Sequence, residues 1–128
     1  MNAAEYRTLR EVCGLSARDA AAFHQVAERT IVHWETGRNG IPPGAADELA
    51  QLNARIERAV RASVDLYRES APPDAPDAVA LVRYRTARSY ADSRAAREGL
   101  SHASHNALIA RMMTALEQAG ARVMIDWG

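Results

Sequence analysis

The chain has 128 residues, enough for one domain or two very small ones. Its 48% apolar and 25% charged residues are an ordinary globular composition, and all 16 basic residues are arginine, balanced by 16 acidic ones. No apolar run approaches the ~20 residues of a membrane span, the single Cys13 excludes an internal disulfide, and zero net charge confines any nucleic-acid binding to a focused patch.

The chain holds 27 alanines, which with the arginines favour helix. Asn2 is placed to cap a first helix through Val12, with Tyr6, Leu9 and Cys13 on one face and Gly14 where a helix ends. Ser16 then caps a short second helix that includes Arg18 and Phe23. A third is expected from about Ala27 to Thr36, stopping at Gly37, with Ile31 and Trp34 turned inward. Helices this short bury little alone, so they must pack on each other. From Gly44 to about Ser70 the residues Leu49, Leu52, Ile56, Val60, Val64 and Tyr67 recur at spacings of three and four, which predicts a long helix of ~40 Å. Two roles are open to its far end: part of this chain's own core, or a face packed against a partner chain.

Three prolines within 71–77 read as a linker. Beyond it, Val79-Ala80-Leu81-Val82-Arg83-Tyr84-Arg85 has the composition of a strand. Ser89 with Asp92 three residues on is a capping-box pattern, opening a helix that Gly99 ends. Ser104 is placed to cap a further helix bearing Leu108, Ile109, Met112, Met113 and Leu116, which stops before Gly120. Arg122-Val123-Met124-Ile125-Asp126-Trp127 alternates and closes as a strand. The expected architecture is mainly α with a small α+β tail: a domain over 1–70 that ends in the long helix, and a β-α-α-β unit over 78–128. Two strands alone are marginal, so this second unit is expected to pair with a second copy as a dimerisation unit.

The most informative residues are Leu15-Ser16-Ala17-Arg18-Asp19-Ala20-Ala21 and then Val26-Ala27-Glu28-Arg29-Thr30-Ile31-Val32-His33-Trp34-Glu35-Thr36-Gly37-Arg38. Leu-Ser opening the second helix, Val before the third and Arg-Thr-Ile-x-x-Trp-Glu-x-Gly along it resemble the helix-turn-helix of the phage-repressor (Xre/Cro-like) family. The likeness covers roughly residues 5–40 and implies a lambda-repressor-like N-terminal domain. The layout of head, long helix and β-α-α-β tail is also similar to the small autorepressors found beside anti-CRISPR genes, which carry a C-terminal dimerisation domain.

A recognition helix presents its first turn to base edges in the major groove. Here that turn offers Glu28, Arg29 and Thr30, with His33 one turn along. Arginine pairs bidentately with guanine and glutamate accepts from cytosine; the resemblance places the base contacts at Glu28, Arg29 and His33, with Thr30 at the edge. Bland readings stand beside these: Arg29 on phosphate, Glu28 orienting Arg29, His33 as a surface histidine. Phosphate contacts are expected from Arg38 and Asn39, and from Arg18 or the amides opened by Ser16, with Arg7 a weaker candidate. The resemblance also implies that Glu35 pairs with Arg10 as a structural acid. The chain departs from the family's pattern at Ala17 (often Gln), His24 (apolar) and Gln25 (often Gly), and Ala27 lacks a capping hydroxyl. Phe23 is expected to fill the core in place of the residue at His24.

Enzyme chemistry finds little support. Cys13 reads as a small buried hydrophobe, His102 and His105 have no acidic partner at a ligand spacing, and no Gly-rich phosphate loop is present. No catalyst, cofactor or metal is expected. The N-terminus lacks a basic patch followed by an apolar run, so a cytoplasmic protein is expected. The leading expectation is a sequence-specific transcriptional repressor that binds inverted-repeat double-stranded DNA as a homodimer and autoregulates its operon. The alternative is an antitoxin that binds a toxin through its C-terminal unit and autoregulates through its head. Arg83, Arg85, Arg88, Arg94 and Arg97 form a local basic cluster that would also suit RNA, although a solvated face accounts for them.

Overall fold

A computed structural model describes residues 1–70 and 78–128; the proline-rich stretch expected as a linker, 71–77, lies outside the described residues. These residues form mainly helix with a two-stranded parallel sheet near the C-terminus. No helix among them is long and apolar enough to cross a membrane. The chain divides into two compact units, Met1–Arg55 and Ile56–Gly128.

The first unit is built from short capped helices. Helix α1 (Ala3–Val12) starts at Asn2, whose side chain accepts from the Glu5 amide at 2.8 Å while Glu5 reaches back to Asn2. Helix α2 (Ala17–His24) starts at Ser16 with the same reciprocal arrangement, completed by Asp19. Such caps satisfy amides that have no partner inside the helix. Helix α3 (Glu28–Glu35) begins at Ala27 with no side-chain cap, as its methyl side chain dictates. The turn between α2 and α3 passes through Gln25 at φ 58°, the only described non-glycine residue with positive φ. A side chain in this left-handed region costs roughly 1–2 kcal/mol, which explains why glycine suits the position. Tyr6, Cys13, Leu15, Ile31, Trp34 and Leu49 form the buried interior of the unit.

Helix α4 (Pro43–Ser70) contributes residues up to Arg55 to the first unit and from Ile56 to the second. Its apolar stripe is used within the chain: in the second unit Val64 and Tyr67 pack against a cluster of Leu81, Ile109, Leu116 and Ala121. The far end thus contributes to the second unit's own core.

The second unit contains strand β1 (Val79–Arg83), helix α5 (Ala87–Ala91), a 3-10 turn (Ala95–Glu98), helix α6 (His102–Gln118) and strand β2 (Val123–Trp127). The strands run parallel with Val79 opposite Val123 and Arg83 opposite Trp127, and α6 supplies the crossover that a parallel pair requires. Two expected caps are corrected. Thr86, not Ser89, caps α5: the Thr86 hydroxyl accepts from the Ser89 amide at 3.0 Å, so Ser89 is the third helical residue. The segment then breaks at Ser93, whose hydroxyl donates to the Tyr90 carbonyl and accepts from the Ala96 amide. One expected helix is therefore a short helix and a 3-10 turn, the latter ended by Gly99 at φ 88°. Likewise Ser101 rather than Ser104 caps α6; its hydroxyl accepts from the Ser104 amide at 3.1 Å, and Ser104 itself is buried. In both cases two hydroxyl residues stand three apart, and the first of them takes the cap.

Candidate nucleic-acid interface

Helix α3 is held by buried groups that fix its rotation. Ile31 and Trp34 are buried on its inner side. At its end Glu35 receives a two-pronged bond from Arg10 of α1, Nε to Oε2 at 2.9 Å and Nη2 to Oε1 at 2.8 Å, while Arg10 Nη1 donates to the Leu15 carbonyl at 2.8 Å. Both side chains are only 10% exposed. The hydrogen bond to Glu35 raises the Arg10 guanidinium further above its usual range, against the opposing effect of burial. The pair implied by the resemblance is thus present, and it is structural.

His24 overturns the expectation for its position. Its side chain is 1% exposed and packs against Tyr6, Phe23 and Trp34, with ring centroids at 5.9, 4.9 and 5.5 Å. Phe23 is only half-buried and flanks the imidazole rather than replacing it. The Tyr6 hydroxyl lies 2.8 Å from His24 Nε2, and a fully buried hydroxyl needs an acceptor. We therefore assign Tyr6 as donor to Nε2, which puts the ring proton on Nδ1. Nδ1 is buried without a hydrogen-bond partner, with a Glu48 carboxylate oxygen 3.6 Å away. Burial lowers the His24 pKa, partly offset by Glu48. Burial, with Glu35 nearby, pushes the Tyr6 phenol up to about 12, so it stays protonated. A histidine satisfies this core because tyrosine supplies the polar contact that an apolar residue would lack.

With Ile31 and Trp34 inward, α3 turns Glu28, Arg29 and Val32 outward as exposed side chains, with Thr30 and His33 half-buried at the margins. Arg29 and His33 are one helical turn apart and share a face. No hydrogen bond or ion pair joins Glu28 to Arg29 among the described residues, so the arginine is unconstrained by its neighbour. Beyond the helix, the chain folds back on His33. The Asn39 amide donates to the His33 carbonyl at 3.1 Å, and Arg38 Nη1 lies 3.5 Å from His33 Nε2. Three expected site residues, His33, Arg38 and Asn39, are thereby drawn together at the end of α3.

The expected residues of α2 stand differently. Arg18 is exposed, but the hydroxyl and amide of Ser16 already donate to Asp19 Oδ2 at 2.8 and 3.1 Å. That carboxylate sits over the helix start, where it competes with a phosphate for the same amides. Arg7 is engaged with Glu11 at 2.9 Å and lies 3.8 Å from Glu35. One residue escaped the sequence reading: Val32, 47% exposed at the centre of the outer face. Its signal was there, because Ile31 and Trp34 cannot face inward without turning Val32 out.

Among the described residues no group of three His, Cys, Asp or Glu side chains is placed to hold a metal ion. His102 and His105 instead pack on Tyr90 at 5.7 and 4.8 Å, and His102 Nε2 contacts the Tyr84 carbonyl at 2.7 Å. No family model matches the chain, and comparison with curated proteins found no match.

Proposed function

We propose that the chain is a sequence-specific DNA-binding repressor with a helix-turn-helix of the Xre/Cro type formed by α2 and α3. On this reading it acts as a homodimer on an inverted repeat in its own promoter. The observation that carries the reading is the outer face of α3: Glu28, Arg29 and Val32 stand out from a helix whose inner side is fixed by Ile31, Trp34 and the Arg10–Glu35 pair. A rigid helix presenting an uncommitted arginine beside an apolar side chain suits the guanine edge and the thymine methyl group. Arg38 and Asn39, tethered to His33, suit the phosphates that flank a reading helix. The DNA-binding step is noncovalent and uses no cofactor.

The test is a salt-series binding assay on the upstream DNA, wild type beside Arg29→Ala and Arg38→Ala. Arg29→Ala is expected to cost ~1–3 kcal/mol and to relax specificity at one base pair, while Arg38→Ala weakens all sequences alike. With Arg18 and Arg38 on phosphates in each of two subunits, log affinity against log salt falls with a slope of about −4. Half-sites are expected about one helical turn apart, ~34 Å, or a multiple of it. Equal binding of wild type and Arg29→Ala to operator and to scrambled DNA would sink the reading.

A further inference from the structure

We propose that two copies of this chain join through the free edge of β2, paired antiparallel about Met124 so that each Arg122 faces the other copy's Asp126. The inference rests on the homodimer of the proposed function and not on its DNA binding.

Strand β2 pairs on one side only, since the sheet contains β1 and β2 alone among the described residues. The Val79 amide donates to the Arg122 carbonyl at 2.7 Å, and the Gly128 amide to the Arg83 carbonyl at 2.8 Å. Alternate residues of a strand direct their backbone groups to opposite edges. The even-numbered residues of β2 therefore serve β1, and Val123, Ile125 and Trp127 aim their N–H and C=O groups at the open edge. This edge is poorly covered as well as unpaired. Leu81 of β1 is 9% exposed, whereas its register partner Ile125 is 40% exposed, and Trp127 beyond it is 55% exposed. Ile109 and Met113 of α6 line a cavity of about 270 Å³ together with Ile125 and Trp127. Natural edge strands are kept apart by proline, a bulge or charged side chains; β2 has no proline and pairs in unbroken register, and the charges at it, Arg122 and Asp126, are of opposite sign.

The occupant follows from the charges. A two-fold axis through the sheet keeps each residue on its own face, so facing residues have numbers of equal parity. Centred on Met124, the pairing sets Arg122 opposite Asp126 twice on one face, around Met124 opposite itself. On the other face it sets Val123 opposite Ile125 twice, each pair exchanging two backbone hydrogen bonds. Centring on Val123 or Ile125 leaves both charges opposite apolar residues, and centring on Asp126 sets two carboxylates together. Arg122 and Asp126 make no ion pair with any described residue of their own chain. The strand is thus complementary to itself in charge, hydrophobicity and backbone hydrogen bonding in one register, which is what a second copy requires.

Met124 faces its counterpart at a non-hydrogen-bonded position, where Cα atoms lie ~4.5 Å apart, within the range a disulfide spans. The experiment uses the full chain, in which Cys13 is fully buried. Wild type is expected at twice the 14.0 kDa chain mass by light scattering. Met124→Cys is expected to cross-link completely under mild oxidation, and Ile125→Cys, which faces Val123, to cross-link poorly. Asp126→Arg should weaken the dimer about tenfold, and Arg122→Asp combined with Asp126→Arg should restore it. A monomeric wild type at micromolar concentration overturns this inference and the homodimer together. A dimeric wild type whose Met124→Cys variant fails to cross-link overturns the β2 pairing alone.

Discussion

In the first unit the imidazole of His24 sits among Tyr6, Phe23 and Trp34; in the second, that of His105 sits against Tyr84 and Tyr90. The two enclosures look alike and are chemically opposite. His24 accepts from the Tyr6 hydroxyl and has the Glu48 carboxylate 3.6 Å from its protonated Nδ1, so positive charge on the ring would lie beside a negative one. His105 Nδ1 is buried with no hydrogen-bond partner, and its titratable neighbour is another histidine, His102. Burial lowers the pKa of both, but Glu48 works against the shift in the first unit and His102 adds to it in the second. Similar aromatic packing thus encloses a supported histidine in one unit and an unsupported one in the other. The difference lies in the second ring of groups, which apolar contact alone does not reveal.

The largest expected effect is on the buried polar support of the first unit. Arg10→Ala leaves Glu35 with only the 3.8 Å contact to Arg7 and strips the Leu15 carbonyl of its donor. A loss of about 3 kcal/mol in urea denaturation is expected, the lower end for a broken buried pair because Arg7 remains. The histidines then separate the two enclosures directly. His24→Phe removes the acceptor of a buried hydroxyl and should cost ~1–3 kcal/mol, whereas His105→Phe removes an unsatisfied nitrogen, keeps the ring packing and should stay within ~1 kcal/mol of wild type. Equal losses from the two substitutions would erase the distinction drawn between them. Acidification sharpens it further. Both histidines titrate lower when folded, so the unfolded chain takes up protons first and stability falls as pH drops below the ordinary histidine value of ~6.5. Thermal scans between pH 7.5 and 5 should show this loss; His105→Phe should flatten it, whereas removal of Glu48, which offsets the shift at His24, should steepen it. The smallest effect belongs to the turn before α3. Gln25→Gly relieves a left-handed side chain at φ 58° and should stabilise by up to ~1 kcal/mol, read as a rise of a few degrees in Tm.

Much of this fold is legible along the chain because its helices carry their own stop and start chemistry. Asn2, Ser16, Gly14 and Gly37 mark the first unit's elements within a residue, since capping and positive φ are local demands. The choice between Thr86 and Ser89, or Ser101 and Ser104, was not legible, because both members of each pair offer a suitable hydroxyl and tertiary packing selects one. His24 was misread for a related reason. Beside Phe23 it is the more polar residue, and only the Tyr6 hydroxyl, eighteen positions away, makes its burial favourable. Of the site, the inward pair Ile31 and Trp34 followed from periodicity, and Val32 followed from them by elimination. The fold-back of Arg38 and Asn39 onto His33 depends on backbone geometry after Gly37, which no spacing encodes.

The two tryptophans fall one in each unit, and their surroundings differ as sharply as those of the histidines. Trp34 is 4% exposed beside the rings of Tyr6 and His24, whereas Trp127 is 55% exposed with the guanidinium of Arg85 4.8 Å from its ring centroid. An indole in an apolar interior emits towards the blue and one in water towards the red, so the protein carries a separate optical reporter for each half. Emission from Trp34 should shift red as the first unit opens. Emission from Trp127 should shift blue when its edge is covered, which allows unfolding of the head and occlusion of the tail to be followed in one cuvette without a label.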